Sequence, residues 1–139
     1  MRAVLDPNVI VSALLSRSGS PARLVRAWLD GAFELVVTPA LLVELGRALN
    51  YRKIRARIAA EDAAALIGQL RVSATVVPDA EAPPEHHSRD PRDDYLLSVA
   101  AREHAALVSG DRHVLELAGS LPVYSPTRFL ELLTTEEPE

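Results

Sequence analysis

Acidic side chains stand at the junctions of this chain's elements. Asp6 ends the apolar run Arg2-Ala3-Val4-Leu5, and Asp111 ends Val108-Ser109-Gly110. Asp93 and Asp94 open a helical pattern, and Glu44 sits among Ala40, Leu41, Leu42, Val43, Leu45 and Ala48. Acids are rarely buried unless they are paired or bound to a metal. Taken singly, Asp6 reads equally as a helix cap and Glu44 as a solvated helix position. Taken together, converging carboxylates would raise each other's pKa, a cost that a hard cation removes. Carboxylates and water suit Mg²⁺ or Mn²⁺, with Asp6, Glu44, Asp93, Asp94 and Asp111 as the candidates. One ion or two remains open.

The elements must bring these acids to one place. Strand-like runs are expected over Arg2–Leu5, Phe33–Val37, Ala74–Val77, Ala106–Ser109 and Pro122–Tyr124. Helices are expected over Asn8–Leu15, Pro21–Asp30, Pro39–Leu49, Glu61–Leu70, Asp93–His104 and Pro126–Leu133, with Ala and Leu on the inner face of the fourth. Tyr51–Ile58 reads as a basic helix and His113–Leu117 as a turn or two. Ser20-Pro21, Thr38-Pro39 and Ser125-Pro126 each pair a capping residue with a proline suited to the first helical turn. Gly31 closes the second helix. Strands alternating with helices imply an α/β fold: a three-layer α/β/α sandwich around a mainly parallel sheet of about five strands. Ligands of such sheets sit outside the carboxyl ends of the strands, where Asp6 and Asp111 stand. The domain is expected over residues 1–133, with an acidic tail over 134–139.

The 139 residues fit one domain with a proper core, and 48% of them are hydrophobic. There is no cysteine, so packing alone must hold the fold. No apolar run is long enough to span a bilayer and no signal-peptide pattern opens the chain, so the cytoplasm is the expected location. The net charge of -4 argues against a generic nucleic-acid coat but not against an enzyme with a local basic rim.

Asp6-Pro7-Asn8-Val9, Glu44, Asp90-Pro91-Arg92-Asp93-Asp94-Tyr95-Leu96-Leu97 and Ser109-Gly110-Asp111-Arg112, in that order and spacing, resemble the PIN domain family. They are most similar to its branch of toxin components of toxin–antitoxin pairs, the VapC-type ribonucleases, over Met1 to Leu133. The resemblance implies a ribonuclease whose acids hold Mg²⁺ or Mn²⁺. It assigns Asp6, Glu44, Asp94 and Asp111 to the metal, with Asp93 as the rival of Asp94, and Asn8 to steadying the site. It also implies an antitoxin protein partner and a homodimer. The family usually has Thr or Ser where Pro7 stands, so water or Ser109 is left to supply that contact. The chemistry would be phosphodiester hydrolysis, in which a metal lowers the pKa of a bound water and Asp94 or Glu44 takes its proton.

Arg47, Arg52, Lys53, Arg55 and Arg57 could hold RNA backbone as a basic rim, or form a solvated helix face. Arg112 could touch phosphate or pair with a site acid. His86-His87 lacks a second pair at ligand spacing and reads as loop. Trp28 reads as core. The apolar helices Asn8–Leu15 and Pro39–Leu49 suggest surface left over for another chain. A receiver domain would need a lysine near the last strand, and Lys53 is far from it. A phosphatase would want an acid where Asn8 stands. The competing function is a PIN scaffold that binds RNA or a protein without cutting.

Overall fold

The computed structural model describes residues 1–80, 91–116 and 121–136. Five strands form one sheet: β1 (Arg2–Leu5), β2 (Glu34–Val37), β3 (Thr75–Val76), β4 (Ala106–Val108) and β5 (Val123–Tyr124). Their spatial order is β3-β2-β1-β4-β5, every pairing parallel. β1 is therefore central, and its Ala3, Val4 and Leu5 are fully buried. That suits an apolar run without alternation, covered on both faces. Among the described residues eight helices surround the sheet: α1 (Pro7–Leu15), α2 (Ser20–Leu29), α3 (Pro39–Leu49), α4 (Arg52–Arg55), α5 (Ala60–Ser73), α6 (Pro91–Arg102), α7 (Arg112–Leu115) and α8 (Pro126–Glu136). α1 packs on α2 and α3, α6 on β4 and β1, and α8 on α2 and β5. This is the three-layer α/β/α arrangement expected, with right-handed crossovers placing α1–α3 and α6 on opposite faces. None of the described helices is long and apolar enough to cross a membrane.

Local chemistry explains most boundaries. Pro7 disfavours helical geometry at the residue before it, and Asp6 has φ -54° and ψ 136°. Thr38 accepts from Leu41 N–H at 3.1 Å and Ser125 from Arg128 N–H at 3.2 Å, so both caps act as expected. Gly31 takes φ +86° at the end of α2. Ser20 differs. Gly19 holds the cap position of α2, and the Ser20 hydroxyl instead meets Thr127 Oγ1 at 2.9 Å, tying the start of α2 to that of α8.

Two further expectations, on α4 and α8, need correction. α4 spans only four residues, because its apolar content is a single half-buried Ile54 and the rest is solvated. α5 carries the expected inner face: Leu70 is buried and Ala63, Leu66 and Ile67 pack half-buried against the core, with α3 as neighbour. α1 buries Pro7, Val9, Ile10, Val11 and Ala13 and packs on α2 and α3, whereas Val43 of α3 stays 53% exposed. α8 continues to Glu136, past the expected end of the last helix. Trp28 lies in the core as expected, and Phe129 closes the α8 side, edge-to-face with Phe33 at 5.3 Å between centroids.

Candidate active site at the carboxyl edge of the sheet

β1 leads outward through β2 to β3 on one side, while β4 and β5 lie on the other. The strand order therefore reverses between β1 and β4, and the crevice at such a switch point is where open α/β sheets bind ligands. Asp6 and Ser109 extend these two strands. Asp6 N–H donates to Val108 O at 2.9 Å, and Ser109 N–H to Tyr124 O at 3.0 Å.

The Asp6 carboxylate is 4% exposed and both of its oxygens are engaged. Oδ1 accepts from Asn8 N–H at 2.9 Å. Oδ2 accepts from Ser109 Oγ at 3.0 Å. Asp6 thus caps α1 through one oxygen and is tied to the end of β4 through the other. Ser109 is fully buried, and its hydroxyl also accepts from Asp111 N–H at 3.0 Å. One hydroxyl therefore fixes the carboxylate ending β1 and the backbone of the acid beyond β4. It reaches the aspartate that Pro7, which has no hydroxyl, cannot serve. Asn8 contributes through its backbone; its side chain is exposed and, with Val9, Ser12, Pro21, Gly110, Asp111 and Pro126, lines a cleft of about 300 Å³.

Glu44 lies in the second turn of α3, half-buried between the core residues Leu41 and Leu45. Asp94 is half-buried in the first turn of α6. The side chain of Asp93, and His86-His87, lie outside the described residues. Arg112 is exposed at the start of α7. Arg47, Arg52, Lys53, Arg55 and Arg57 are all exposed. They begin near the far end of α3, whose 11 residues make a rod about 16 Å long. The basic stretch is thus separated from the start of α3 by most of that rod.

A second polar group at this edge was not anticipated from the sequence. Tyr95 follows Asp94, and its hydroxyl hydrogen-bonds Thr38 Oγ1 and donates to Asp79 Oδ1 at 3.1 Å. A carboxylate only accepts, so the Tyr95 proton goes to Asp79 and Thr38 must donate to Tyr95. The relay closes on α3: Thr38 accepts from Leu41 N–H, and Asp79 Oδ1 accepts from Ala40 N–H at 3.1 Å. The helix carrying Asp94 is thereby tied to the start of the helix carrying Glu44. Burial, together with the charge of Asp79 and against the opposing Thr38 bond, pushes the Tyr95 phenol up to about 12. The Asp94-Tyr95 pair was visible in sequence, but its partners lie 57 and 16 residues away.

Among the described residues, no group of three or more acids and histidines is placed to hold a metal ion. Asp6, Glu44, Asp94 and Asp111 each have an interaction partner. The donor chemistry nonetheless suits a hard divalent cation. Every candidate is a carboxylate, and Asp6 is oriented by donors to both oxygens with lone pairs to spare, as outer contacts orient metal ligands.

A parallel sheet flanked by helices, with its strand order reversing between β1 and β4, defines an open α/β domain. This chain belongs to the PIN domain family, whose signature matches residues 2–113. PIN domains are typically metal-dependent nucleases. An uncharacterized protein of Methanocaldococcus jannaschii, MJ1680, is 24% identical over 143 residues, covering 94% of this chain and 90% of its own length. Among solved structures, PAE2754 from Pyrobaculum aerophilum superposes with a TM-score of 0.64 at 18% identity, covering 98% of this chain and 91% of that one. SSO1118 from Sulfolobus solfataricus P2, a PilT N-terminus domain protein, gives 0.54 at 17% identity, covering 100% and 98%. These two likenesses show the fold.

Proposed function

We propose that this PIN domain is an Mg²⁺- or Mn²⁺-dependent endoribonuclease and the toxin component of a toxin–antitoxin pair. The observation that carries the nuclease reading is the buried Asp6 carboxylate, gripped by Ser109 and Asn8 N–H beside Asp111 at the β1/β4 switch point. Asp6 and Asp111 would hold the cation, with Asp94 and Glu44 completing the set from α6 and α3. The bound cation supplies an activated water and neutralises the phosphate. Ser109 holds the Asp6 carboxylate in place from the end of β4. Asp94 or Glu44 accepts the proton of the attacking water. Arg112, exposed at the mouth, offers a fork for a substrate phosphate. The toxin role, the antitoxin partner and a homodimer are supported by the motif resemblance.

The test is cleavage of a labelled single-stranded RNA by the wild type with Mg²⁺ or Mn²⁺. Activity should vanish in EDTA and fall by at least about a hundredfold in Asp6→Asn and Asp111→Asn, the scale of losing one electrostatic contact to the transition state. Mn²⁺ should raise the melting temperature of the wild type and not of the double variant, since a ligand bound only to the native state stabilises it. Activity that persists in EDTA or in both variants would overturn the nuclease reading. Growth that slows equally on expressing wild type and Asp6→Asn would overturn the toxin role alone.

A further inference from the structure

Tyr51 is the N-cap of α4 and 65% exposed, although an aromatic ring ordinarily seeks cover. Its backbone is held firmly. Tyr51 N–H donates to Ala48 O at 3.2 Å, and Tyr51 O accepts from both Ile54 and Arg55 N–H at 2.9 Å. The ring therefore projects from a fixed base. Arg47, Arg52, Lys53 and Arg55 surround it in sequence on α3 and α4, all exposed. Nowhere among the described residues does any of the four form an ion pair. In a chain of net charge -4, four neighbouring cations without acidic partners form a local exception. They call for a polyanion, and the aromatic among them selects its kind.

We propose that Tyr51 is a base-stacking platform for single-stranded RNA, with Arg47, Arg52, Lys53 and Arg55 holding the phosphates on either side of the stacked base. The inference rests on the ribonuclease reading and names the form of its substrate. Stacking on an exposed ring needs a base free of its partner, so the platform accepts a single strand and not a duplex whose bases already stack. Phosphate contacts alone would take either. Most of the length of α3 lies between this surface and the sheet edge, so the stacked base lies a few nucleotides from the bond that is cut. The surface thus acts on how substrate is held and not on the chemical step.

The experiment is fluorescence anisotropy in EDTA with a labelled 12-nucleotide RNA, as a single strand and as a duplex with its complement. Tyr51→Ala should bind the single strand about tenfold more weakly and the duplex no differently, the loss of one stacked base. Tyr51→Phe should restore wild-type binding, because the ring and not the hydroxyl stacks. Arg52→Gln with Lys53→Gln should weaken both forms and flatten the salt dependence by about one to two units of slope. Unchanged melting temperature in Tyr51→Ala shows that the loss is local. Single-strand binding that is unaltered in Tyr51→Ala, weakened equally for the duplex, or displaced equally by polyglutamate at matched charge would overturn the platform. If the wild type cleaves RNA while any of these holds, the platform fails and the nuclease reading stands. If it neither binds nor cleaves RNA, both fail.

Discussion

Replacing Tyr95 by Phe removes one oxygen from the carboxyl edge of the sheet and breaks the relay from Thr38 to Asp79. The ring keeps its packing, so the change isolates the hydroxyl. Asp79 is exposed and can turn to water. Thr38 is fully buried and cannot. Its proton loses its acceptor, and a buried donor left unmade costs about 1–3 kcal/mol. For a domain of this size that is a loss of about 3–9 °C in melting temperature, or about 1 M in the urea midpoint at a typical slope. A pH signature accompanies it. The unfolded phenol loses its proton near pH 10, whereas the native one holds it until about 12. Unfolding then releases a proton between those values, so wild-type stability falls as pH rises through that window. Two units correspond to about 2.7 kcal/mol; because the phenol is only half-buried, screening reduces this to about 1 kcal/mol. Urea unfolding at pH 7, 10 and 12 should therefore show a gap between wild type and Tyr95→Phe that narrows above pH 10. A variant within about 0.3 kcal/mol of wild type at pH 7, or a gap that stays constant to pH 12, would refute the relay.

Two more predictions follow from single contacts. Ser109→Ala should cost about 1–3 kcal/mol in urea unfolding, because Asp6 Oδ2 loses a buried hydrogen bond and Asp111 N–H a part-buried one; Ser109→Thr, which keeps the hydroxyl, should recover part of it, and equal loss in both would point to packing instead. His104 sits at φ 52° just past α6, where His104 N–H donates to Ala101 O and Ala105 N–H to Ala100 O. That is a Schellman ending with histidine where glycine is favoured, so His104→Gly should raise stability by about 0.5–1 kcal/mol, and a lower melting temperature would show that the imidazole makes a compensating contact.

Much of the local architecture was legible in the sequence because short-range sterics decide it. Pro7 held Asp6 extended, and Thr38-Pro39 and Ser125-Pro126 started helices where capping chemistry requires. The apolar run of β1 announced a strand buried on both faces. Ser20 was misread because its hydroxyl found Thr127, which lies 107 residues away, in place of its own helix.

The candidate site divides along the same line. The sequence by itself determined that acids end β1 and β4 and open α6, since those positions follow from local pattern. Only the tertiary structure decided that β1 and β4 are neighbours, which follows from a crossover that returns to the sheet centre after β3. That adjacency lets Ser109 reach Asp6 across 103 residues of chain. It likewise took the packed fold to bring Tyr95, Thr38 and Asp79 into one relay. Capping and strand propensity are settled within a few residues, whereas a hydrogen bond between distant side chains exists only once the hydrophobic core has fixed which strands lie side by side.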